Sequence, residues 1–347
     1  MKIKCLFINN YKSLVNFELV EPNPFSVFVG PNAAGKSNVF EALEFLSYGL
    51  GRPFYASDLF GGPSIFLNKQ FKLKERIPHR YEINFKLNFD EIDLQSHLSC
   101  FVHKEKWIVG AASSAEKGKL INNQKDELKE STELRAKEDE FIESFSRLFI
   151  GKTDLNKLNI SSQNKLRIDS RNLEPVLHRI LQDEAKREEI TEWLELLIPG
   201  LEKVEVAKSD LSGDYFLRIF EKHLSEPIGK NLISDGTYNI LALLTAVYQS
   251  DEPQFLCIEE PENGLNPYVI RTLVGFFRQM CEEKGHYIWL NTHSATLVRE
   301  LRNEEIILID KKEGITQAKQ IPADFNRYDL EMDEAWLTNA LGGGLPW

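Results

Sequence analysis

The chain has 347 residues, of which 42% are hydrophobic, and its formal net charge at pH 7 is −11. This length suffices for two domains, or for one domain with a large insertion, and the hydrophobic fraction supports a real core. The acidic balance argues against a uniformly basic nucleic-acid binder, although it leaves room for a local basic patch. The four cysteines form no CxxC pair, which argues against a disulfide framework or a zinc site. We expect a reduced, soluble, cytoplasmic protein, because the sequence has no signal-peptide pattern and no apolar run long enough to span a membrane.

The N-terminal part of the chain contains a candidate phosphate-binding loop. Residues 1–20 alternate apolar and polar side chains in two runs, which predicts two strands. A third apolar run, Phe25–Val29, leads into Gly30–Ser37, and helical spacing follows. A strand, a glycine-bounded loop and a helix in this order are typical of a loop that binds phosphate with backbone N–H groups. Lys36 would reach the β- and γ-phosphates and the Ser37 hydroxyl would hold Mg²⁺, unless the match arose by chance in a glycine turn.

The next part of the chain predicts strands and a charged segment. Alternation over Tyr81–Phe89 predicts one strand, and residues 100–109 resemble another. The basic residues between 69 and 80 are interpreted either as a charged hairpin edge or as a contact with a nucleic-acid backbone. Dense charge over 113–143 predicts a mobile segment that runs into a helix near 136–149.

A helical block then interrupts the strands. Apolar spacing predicts helices over 173–181 and 190–197, and the Pro199-Gly200 pair ends the second of them. Strands are predicted to resume at 201–208 and 215–222. We therefore expect an inserted helical lid lobe between the two halves of an α/β domain.

A second apolar strand ends in consecutive acids, since Glu259 and Glu260 follow Phe255–Ile258 directly. In P-loop enzymes such a strand delivers a carboxylate that holds Mg²⁺, usually through water. Glu259 fits that position, and Glu260 fits a general base that polarises the attacking water. The alternative is that both acids simply cap the end of a strand at the surface.

Two further segments could contact phosphate. His293 follows the predicted strand Tyr287–Leu290, so it either approaches a γ-phosphate or is an ordinary loop histidine. Ser234–Thr237 precede an apolar helix, where Ser234 or Asp235 can serve as the N-cap. A helix N-terminus that carries Ser and Gly is also an anion site, and its phosphate need not belong to the same chain.

Together these motifs resemble the ATP-binding-cassette type of P-loop ATPase, and within it the RecF, OLD and SMC head group more than the transporters. In that group Lys12 matches a basic residue that leans on the nucleotide, and His293 matches the switch histidine. Ser234–Thr237 match the signature that contacts the γ-phosphate held by the other subunit, and Asn263–Asn266 match a loop that crosses the dimer interface. The nucleotide contacts implied are Lys12, Gly30, Asn32, Gly35, Lys36, Ser37, Asn38, Ser234 and Gly236.

The likeness is greatest to small stand-alone members that are commonly called AAA family ATPases. Many of these act in antiviral defence beside a separately encoded nuclease or other effector, and others act in DNA repair. The resemblance implies an α/β fold, an ABC-type P-loop ATPase head with a mixed sheet, an N-terminal antiparallel β lobe and an inserted helical lobe. The implied domains are the N-terminal ATPase half, 1–95, the helical lobe, 96–200, and the C-terminal ATPase half, 201–347.

The resemblance also implies a chemistry and partners. ATP and Mg²⁺ would bind in a homodimer or higher homo-oligomer, with Lys36, Glu260 and His293 catalytic and with Ser37 and Glu259 on the metal. A glutamate replaces the commoner aspartate at the metal position, and Gln70 is a weak candidate for the glutamine that couples Mg²⁺ to the lobe. The stretch after His293 is too short for the fused nuclease domain of OLD proteins, so a nuclease would act in trans. Three alternatives stay open: a RecF-like repair ATPase that binds DNA, a transporter ATPase subunit that co-purifies with a membrane protein, and a non-hydrolysing ATP-binding scaffold.

The C-terminal tail combines a short helix with an apolar end. Residues 329–341 predict the helix, and the three glycines that follow are expected to stop it and to free Leu345–Trp347. Trp347 either folds back on its own domain or anchors the tail in a partner subunit or second protomer.

Overall fold

The computed structural model describes residues 3–51, 60, 80–89, 92–103, 106–115, 135–136, 138–151 and 164–345. The chain divides into two compact units, of which the first comprises Met1–Phe145 with Arg302–Trp347 and the second Ser146–Leu301. Within the part of the chain that the structure describes, no helix is long and apolar enough to cross a membrane.

The first unit contains an antiparallel sheet of five strands in the order β2-β1-β4-β5-β6. This sheet confirms the N-terminal antiparallel β lobe, including the two strands predicted within residues 1–20. The single strand predicted over 100–109 is wrong, because that range covers the end of one strand at His103 and the start of its antiparallel neighbour at Lys106. The strands are β1 (Ile3–Asn9), β2 (Phe17–Val20), β4 (Arg80–Phe89), β5 (Ile92–His103) and β6 (Lys106–Ala115).

The first unit also carries three strands of a mixed sheet. β3 (Phe25–Val29) runs parallel to β13 (Ile306–Lys312), which pairs antiparallel with β14 (Ile315–Gln320). Every residue of β3 is buried, as expected for a continuous apolar run in the interior of a sheet. Helix α1 (Lys36–Gly51) begins seven residues after β3 ends, so the strand and the helix fix both ends of the phosphate loop.

The C-terminal segment is held against the first unit more firmly than the sequence predicts. Its helix, α7, covers Met332–Leu337, a shorter range than the predicted one. The buried Trp336 donates its indole N–H to the carbonyl of Gly344, and the Gly344 N–H donates to Asp310 Oδ2 at 2.9 Å. The positive φ angles of the three glycines let the backbone fold back, so the chain is held as far as Gly344, and the freeing of Leu345–Trp347 stays a prediction. Trp347 lies outside the described residues, so both interpretations of it stay predictions.

Residues 138–144 are helical, but β7 (Phe145–Phe149) is a strand where the sequence predicted the second half of a helix. β7 lies beside β11 (Phe255–Glu259) in the sheet, and its apolar side chains are buried there, so strand pairing overrides the local helical pattern. The predicted helical lobe thus contains strands as well as helices, and its boundaries at 96 and 200 stay predictions.

The second unit is built around two parallel, fully buried strands, β11 (Phe255–Glu259) and β12 (Tyr287–Thr292). Helices α2 (Leu173–Ile180) and α3 (Glu184–Leu197) confirm the predicted helical block and pack against β8. A small antiparallel sheet follows them, with β8 (Leu201–Lys208), β9 (Tyr215–Glu221) and β10 (Ile228–Gly229). The remaining helices are α4 (Asp235–Tyr248), α5 (Pro267–Lys284) and α6 (Ala295–Arg299).

Some predictions fall on parts of the chain outside the described residues. These are Gln70, most of the basic cluster between 69 and 80, and residues 116–134 of the charged segment. Residues 113–115, which were predicted to be mobile, belong to β6.

Candidate functional site

The phosphate loop of the first unit curls around the ammonium group of its own lysine. Lys36 Nζ donates to the carbonyls of Gly30 at 2.6 Å and Pro31 at 2.9 Å, and the residue is 9% exposed. The first turn of α1 begins at Lys36, so the positive end of the helix dipole lies at the same place. The loop therefore concentrates positive charge where a polyphosphate would bind.

Both glycines of the loop are required by close packing. A Cβ at Gly30 would lie 2.1 Å from the carbonyl oxygen of Ile309 in β13. Gly35 has φ +108°, and a Cβ there would lie 2.0 Å from Thr316 Oγ1 in β14. The glycines thus allow the loop to rest directly on two strands that are distant in sequence.

A chain of hydrogen-bonded hydroxyl and amide groups holds the loop against β14 and the segment after β1. Thr316 Oγ1 donates to the Ala34 carbonyl at 2.8 Å and lies 2.6 Å from Ser13 Oγ, which also accepts from Asn38 Nδ2 at 2.7 Å. Thr316 N–H donates to the carbonyl of Ser13 at 2.8 Å. The sequence offered no signal for Thr316, because its contact with the loop exists only through the pairing of β13 with β14 and β3.

The other predicted nucleotide contacts of this unit surround the loop. Lys12 Nζ contacts Glu41 Oε1 of α1 at 2.7 Å, so the basic residue of the opening motif is attached to the helix that follows the loop. Asn32 and Ser37 are exposed to solvent, and Ser37 is the second residue of α1. Their direct roles toward a nucleotide stay predictions.

In the second unit the first acid of β11 is buried and held on both carboxylate oxygens. Glu259 is 1% exposed, and its Oε1 accepts from Arg147 Nε at 2.7 Å and from Arg147 Nη2. Asn291 Nδ2 donates to Oε2 at 3.2 Å. Neither Arg147 nor Asn291 was assigned a role from the sequence, since each reaches Glu259 only through the order of strands in the sheet.

The second acid projects from a strained backbone. Glu260 has φ +50°, a value uncommon for residues other than glycine, and its N–H donates to the backbone oxygen of Asn291 at 3.1 Å and to its Oδ1 at 3.2 Å. Its Oε2 accepts from Asn263 Nδ2 at 3.1 Å. His293 Nδ1 lies 3.9 Å from Oε1, which is too long for a hydrogen bond but close enough for electrostatic interaction.

A third carboxylate, that of Glu262, lies against Thr292 at the end of β12. Thr292 Oγ1 donates to Glu262 Oε1, and the Ser294 N–H donates to the same hydroxyl at 2.9 Å. Burial raises the pKa of the Glu262 carboxyl above its ordinary value, although the Thr292 hydrogen bond opposes the rise. This residue had no assigned role in the sequence.

The signature segment of the same unit contacts the loop that follows the acids. Ser234 Oγ accepts from the Thr237 N–H at 3.1 Å, which confirms Ser234 as the N-cap of α4. A Cβ at Gly236 would lie 2.6 Å from the Gly264 carbonyl, so this glycine permits close approach. Asn239 Nδ2 donates to the Asn263 carbonyl at 2.9 Å. Because Asn263 also donates to Glu260, hydrogen bonds connect the signature helix with the second acid.

The donor groups suit the ligands that the sequence predicts. Carboxylate and hydroxyl oxygens, such as those of Glu259 and Ser37, are the protein ligands that Mg²⁺ prefers. Because Arg147 and Asn291 already contact both oxygens of Glu259, the pattern fits a metal held through water better than one held directly. In the first unit the ammonium of Lys36 and the start of α1 suit the phosphates of ATP.

Comparison with protein families gives one model that matches residues 25–299, described as "AAA domain, putative AbiEii toxin, Type IV TA system". The matched interval includes the phosphate loop, the signature segment, both acids and His293. No curated protein matches the chain significantly by sequence.

Solved structures give likeness of fold at low identity. An SMC head bound to the C-terminal winged-helix domain of ScpA is 14% identical, with a TM-score of 0.61 over 93% of this chain and 98% of that one. The Smc head domain from Pyrococcus furiosus, which carries an extended coiled coil, was solved bound to the C-terminal domain of ScpA. It is 12% identical, with a TM-score of 0.58 over 92% of this chain and 96% of that one. The SMC head domain from Thermotoga maritima is also 12% identical, with a TM-score of 0.50 over 93% of this chain and 100% of that one.

Proposed function

Because this chain belongs to the family of AAA domains described as putative AbiEii toxins of type IV toxin–antitoxin systems, we propose that it binds and hydrolyses ATP and transmits the resulting change to a partner. The SMC-like fold supports an ATPase head of the ABC type. The proposal assigns ATP to the phosphate loop and, with Mg²⁺, to Ser37 and Glu259. It assigns catalysis to Lys36, Glu260 and His293.

The observation that carries the proposal is the conformation of Glu260. A simple acidic cap at a strand end needs no left-handed backbone, and such strain persists only when surrounding contacts impose it. Here Asn291 holds the backbone and Asn263 holds the carboxylate. A carboxylate held in this way, directly after a buried acid, suits a general base better than a solvated cap.

Hydrolysis breaks the bond between the γ-phosphorus and the bridging oxygen as water oxygen attacks the phosphorus. Glu260 accepts the proton of that water at Oε1, on the side of the carboxylate that faces His293. Lys36 stabilises the negative charge of the phosphates with its ammonium group. Ser37 and Glu259 would hold Mg²⁺, which would supply positive charge against the negative charge of the phosphates.

We further propose that two chains enclose the nucleotides between them, with Ser234 and Gly236 of one chain facing the phosphate held by the other. The support is that Ser234 and Gly236 lie at the start of α4, where the N-terminal N–H groups favour an anion. The hydrogen bonds from Asn239 through Asn263 to Glu260 give the signature helix a route by which it affects the general base. Closing and opening of such a dimer would be the signal.

The biological setting we propose is the ATPase subunit of an antiviral defence system that acts with a separate nuclease or other effector. The family description supports a system of more than one component, because it names a toxin–antitoxin pair. Two SMC heads of similar fold bind a domain of ScpA.

Self-association tests the dimer directly. Light scattering of the Glu260→Gln variant, which should hold ATP without consuming it, is expected to give a doubled mass when Mg²⁺ and ATP are added. The Lys36→Ala variant should bind no ATP by calorimetry and should stay at the lower mass, whereas Lys4→Ala, which alters an exposed lysine of β1, should behave as the parent protein. An unchanged mass with ATP demonstrably bound would rule out the enclosed dimer.

A further inference from the structure

Arg147 forms a buried ion pair with the acid that is proposed to serve the metal. The side chains of Arg147 and Glu259 are 2% and 1% exposed. Two nitrogens of the guanidinium, Nε at 2.7 Å and Nη2, donate to the same oxygen, Oε1. The other oxygen, Oε2, accepts from Asn291.

Stability alone explains this pair poorly. Removing two charges from water is costly, and a buried ion pair is often no more stable than apolar side chains of the same volume. Leu148, which follows Arg147 in β7, and Ile258, which precedes Glu259 in β11, are apolar and buried, so an apolar pair would suit the sheet at this position. The charged pair therefore calls for a functional reason.

A backbone hydrogen bond joins the two strands next to the pair. The Ile150 N–H, at the end of β7, donates to the carbonyl of Glu259 at 3.2 Å, which fixes the end of one strand against the other. Asn291 belongs to β12, so side chains from the strands on both sides of β11 hydrogen-bond to the Glu259 carboxylate. A guanidinium is planar and permanently charged, so it can hold a carboxylate in one orientation more strictly than an ammonium group.

We propose that Arg147 is a positioning residue for the metal, because it fixes the orientation in which the Glu259 carboxylate faces the water molecules that surround Mg²⁺. The inference rests on the proposed ATPase function and deepens it. Groups that hydrogen-bond to a metal-binding carboxylate orient it, and their loss typically weakens metal affinity or activity about 10–100-fold. Arg147 touches neither nucleotide nor reacting atoms in this scheme and acts through Glu259.

The experiment measures Mg²⁺ dependence apart from catalysis. ATP is added to the protein at increasing Mg²⁺, and the Mg²⁺ concentration that gives half of the maximal rise in melting temperature is recorded. In Arg147→Met this concentration should rise about 10–100-fold, whereas ATP affinity in EDTA stays within about twofold of the parent. In Arg147→Lys this Mg²⁺ concentration should lie between the value of the parent protein and that of Arg147→Met. Arg218→Met, which alters an exposed arginine of β9, should not change the Mg²⁺ requirement.

A second background keeps the test decisive if Arg147→Met fails to fold. In Glu259→Gln the proposed target of Arg147 is gone, so adding Arg147→Met should leave the Mg²⁺ requirement unchanged. A further shift in the double variant, or an unshifted requirement in folded Arg147→Met or Arg147→Lys, would overturn the positioning role alone. If the parent protein shows no response to Mg²⁺ and ATP, the proposed function fails, and the role of Arg147 fails with it.

Discussion

Gly35 is the position at which a single methyl group should most disturb the phosphate loop. Its φ of +108° is costly for any residue with a Cβ, by about 1–3 kcal/mol. The Cβ of Gly35→Ala would also lie 2.0 Å from Thr316 Oγ1, so the hydroxyl would have to leave its hydrogen bonds with Ala34 and Ser13. Each such bond contributes about 0.5–1.5 kcal/mol, and we therefore expect a loss of about 2–6 kcal/mol in the free energy of unfolding.

Urea unfolding followed by tryptophan fluorescence measures this loss, and calorimetry with ATP measures the expected loss of binding. The matched control is Gly275→Ala on the exposed side of α5, where a Cβ meets nothing within 4 Å. That change should raise stability by about 0.5–1 kcal/mol, because alanine suits a helix interior better than glycine. In a Thr316→Ala background, Gly35→Ala should cost less, because the clash with the hydroxyl is gone and what remains is the backbone strain and the close approach to Ser13 Oγ, at 2.9 Å, and to the Cβ of residue 316, at 3.1 Å. An equal cost in both backgrounds, or a change below about 0.5 kcal/mol in the parent background, would refute the packing argument.

Two further predictions concern stability. Burial lowers the pKa of His286 to about 4, so its folded form prefers the neutral ring, and stability present above about pH 6.5 should be lost as pH falls toward 4. The loss in the free energy of unfolding amounts to about 3 kcal/mol. His286→Asn can still accept from the Gln254 N–H and should flatten the pH dependence of stability measured by urea unfolding. An unchanged pH dependence in this variant would contradict the role of His286. Trp336→Phe removes the donor to the buried Gly344 carbonyl and should lower the free energy of unfolding by about 1–3 kcal/mol, so equal urea midpoints would show that the tail is held by other contacts.

Local pattern was sufficient to predict the motifs, and the resemblance that the motifs carry implied the fold class. The strand–loop–helix order around Gly30–Ser37 and the apolar run before Glu259 are contiguous in sequence, and each recurs in the structure where it was predicted. The resemblance to the RecF, OLD and SMC head group is confirmed by the family model and by the fold of SMC heads. The mixed α/β fold class is confirmed as well.

The errors arise where long-range pairing decides the outcome. β7 was predicted as helix because its strand state depends on β11, which lies more than a hundred residues away. The partners of the site residues were missed for the same reason: Thr316 reaches Gly35 and Arg147 reaches Glu259 only across strands. A single sequence carries no periodicity that links such positions.

The hold on the C-terminal segment was missed for a related reason. Its glycines were interpreted as a helix end that frees Leu345–Trp347, because glycine commonly ends helices. In the structure Trp336 and Asp310 hydrogen-bond to Gly344, and both contacts form only when the chain is folded.

The central claim is that this chain hydrolyses ATP with Glu260 as general base, and the most direct test is phosphate release at saturating ATP and Mg²⁺. Glu260→Gln should bind ATP with an affinity close to that of the parent protein and should release phosphate at least about 100-fold more slowly, the factor expected for loss of a general base. Glu252→Gln, an exposed glutamate in the same unit, serves as the control and should match the parent rate. Turnover of Glu260→Gln at the parent rate would contradict the account.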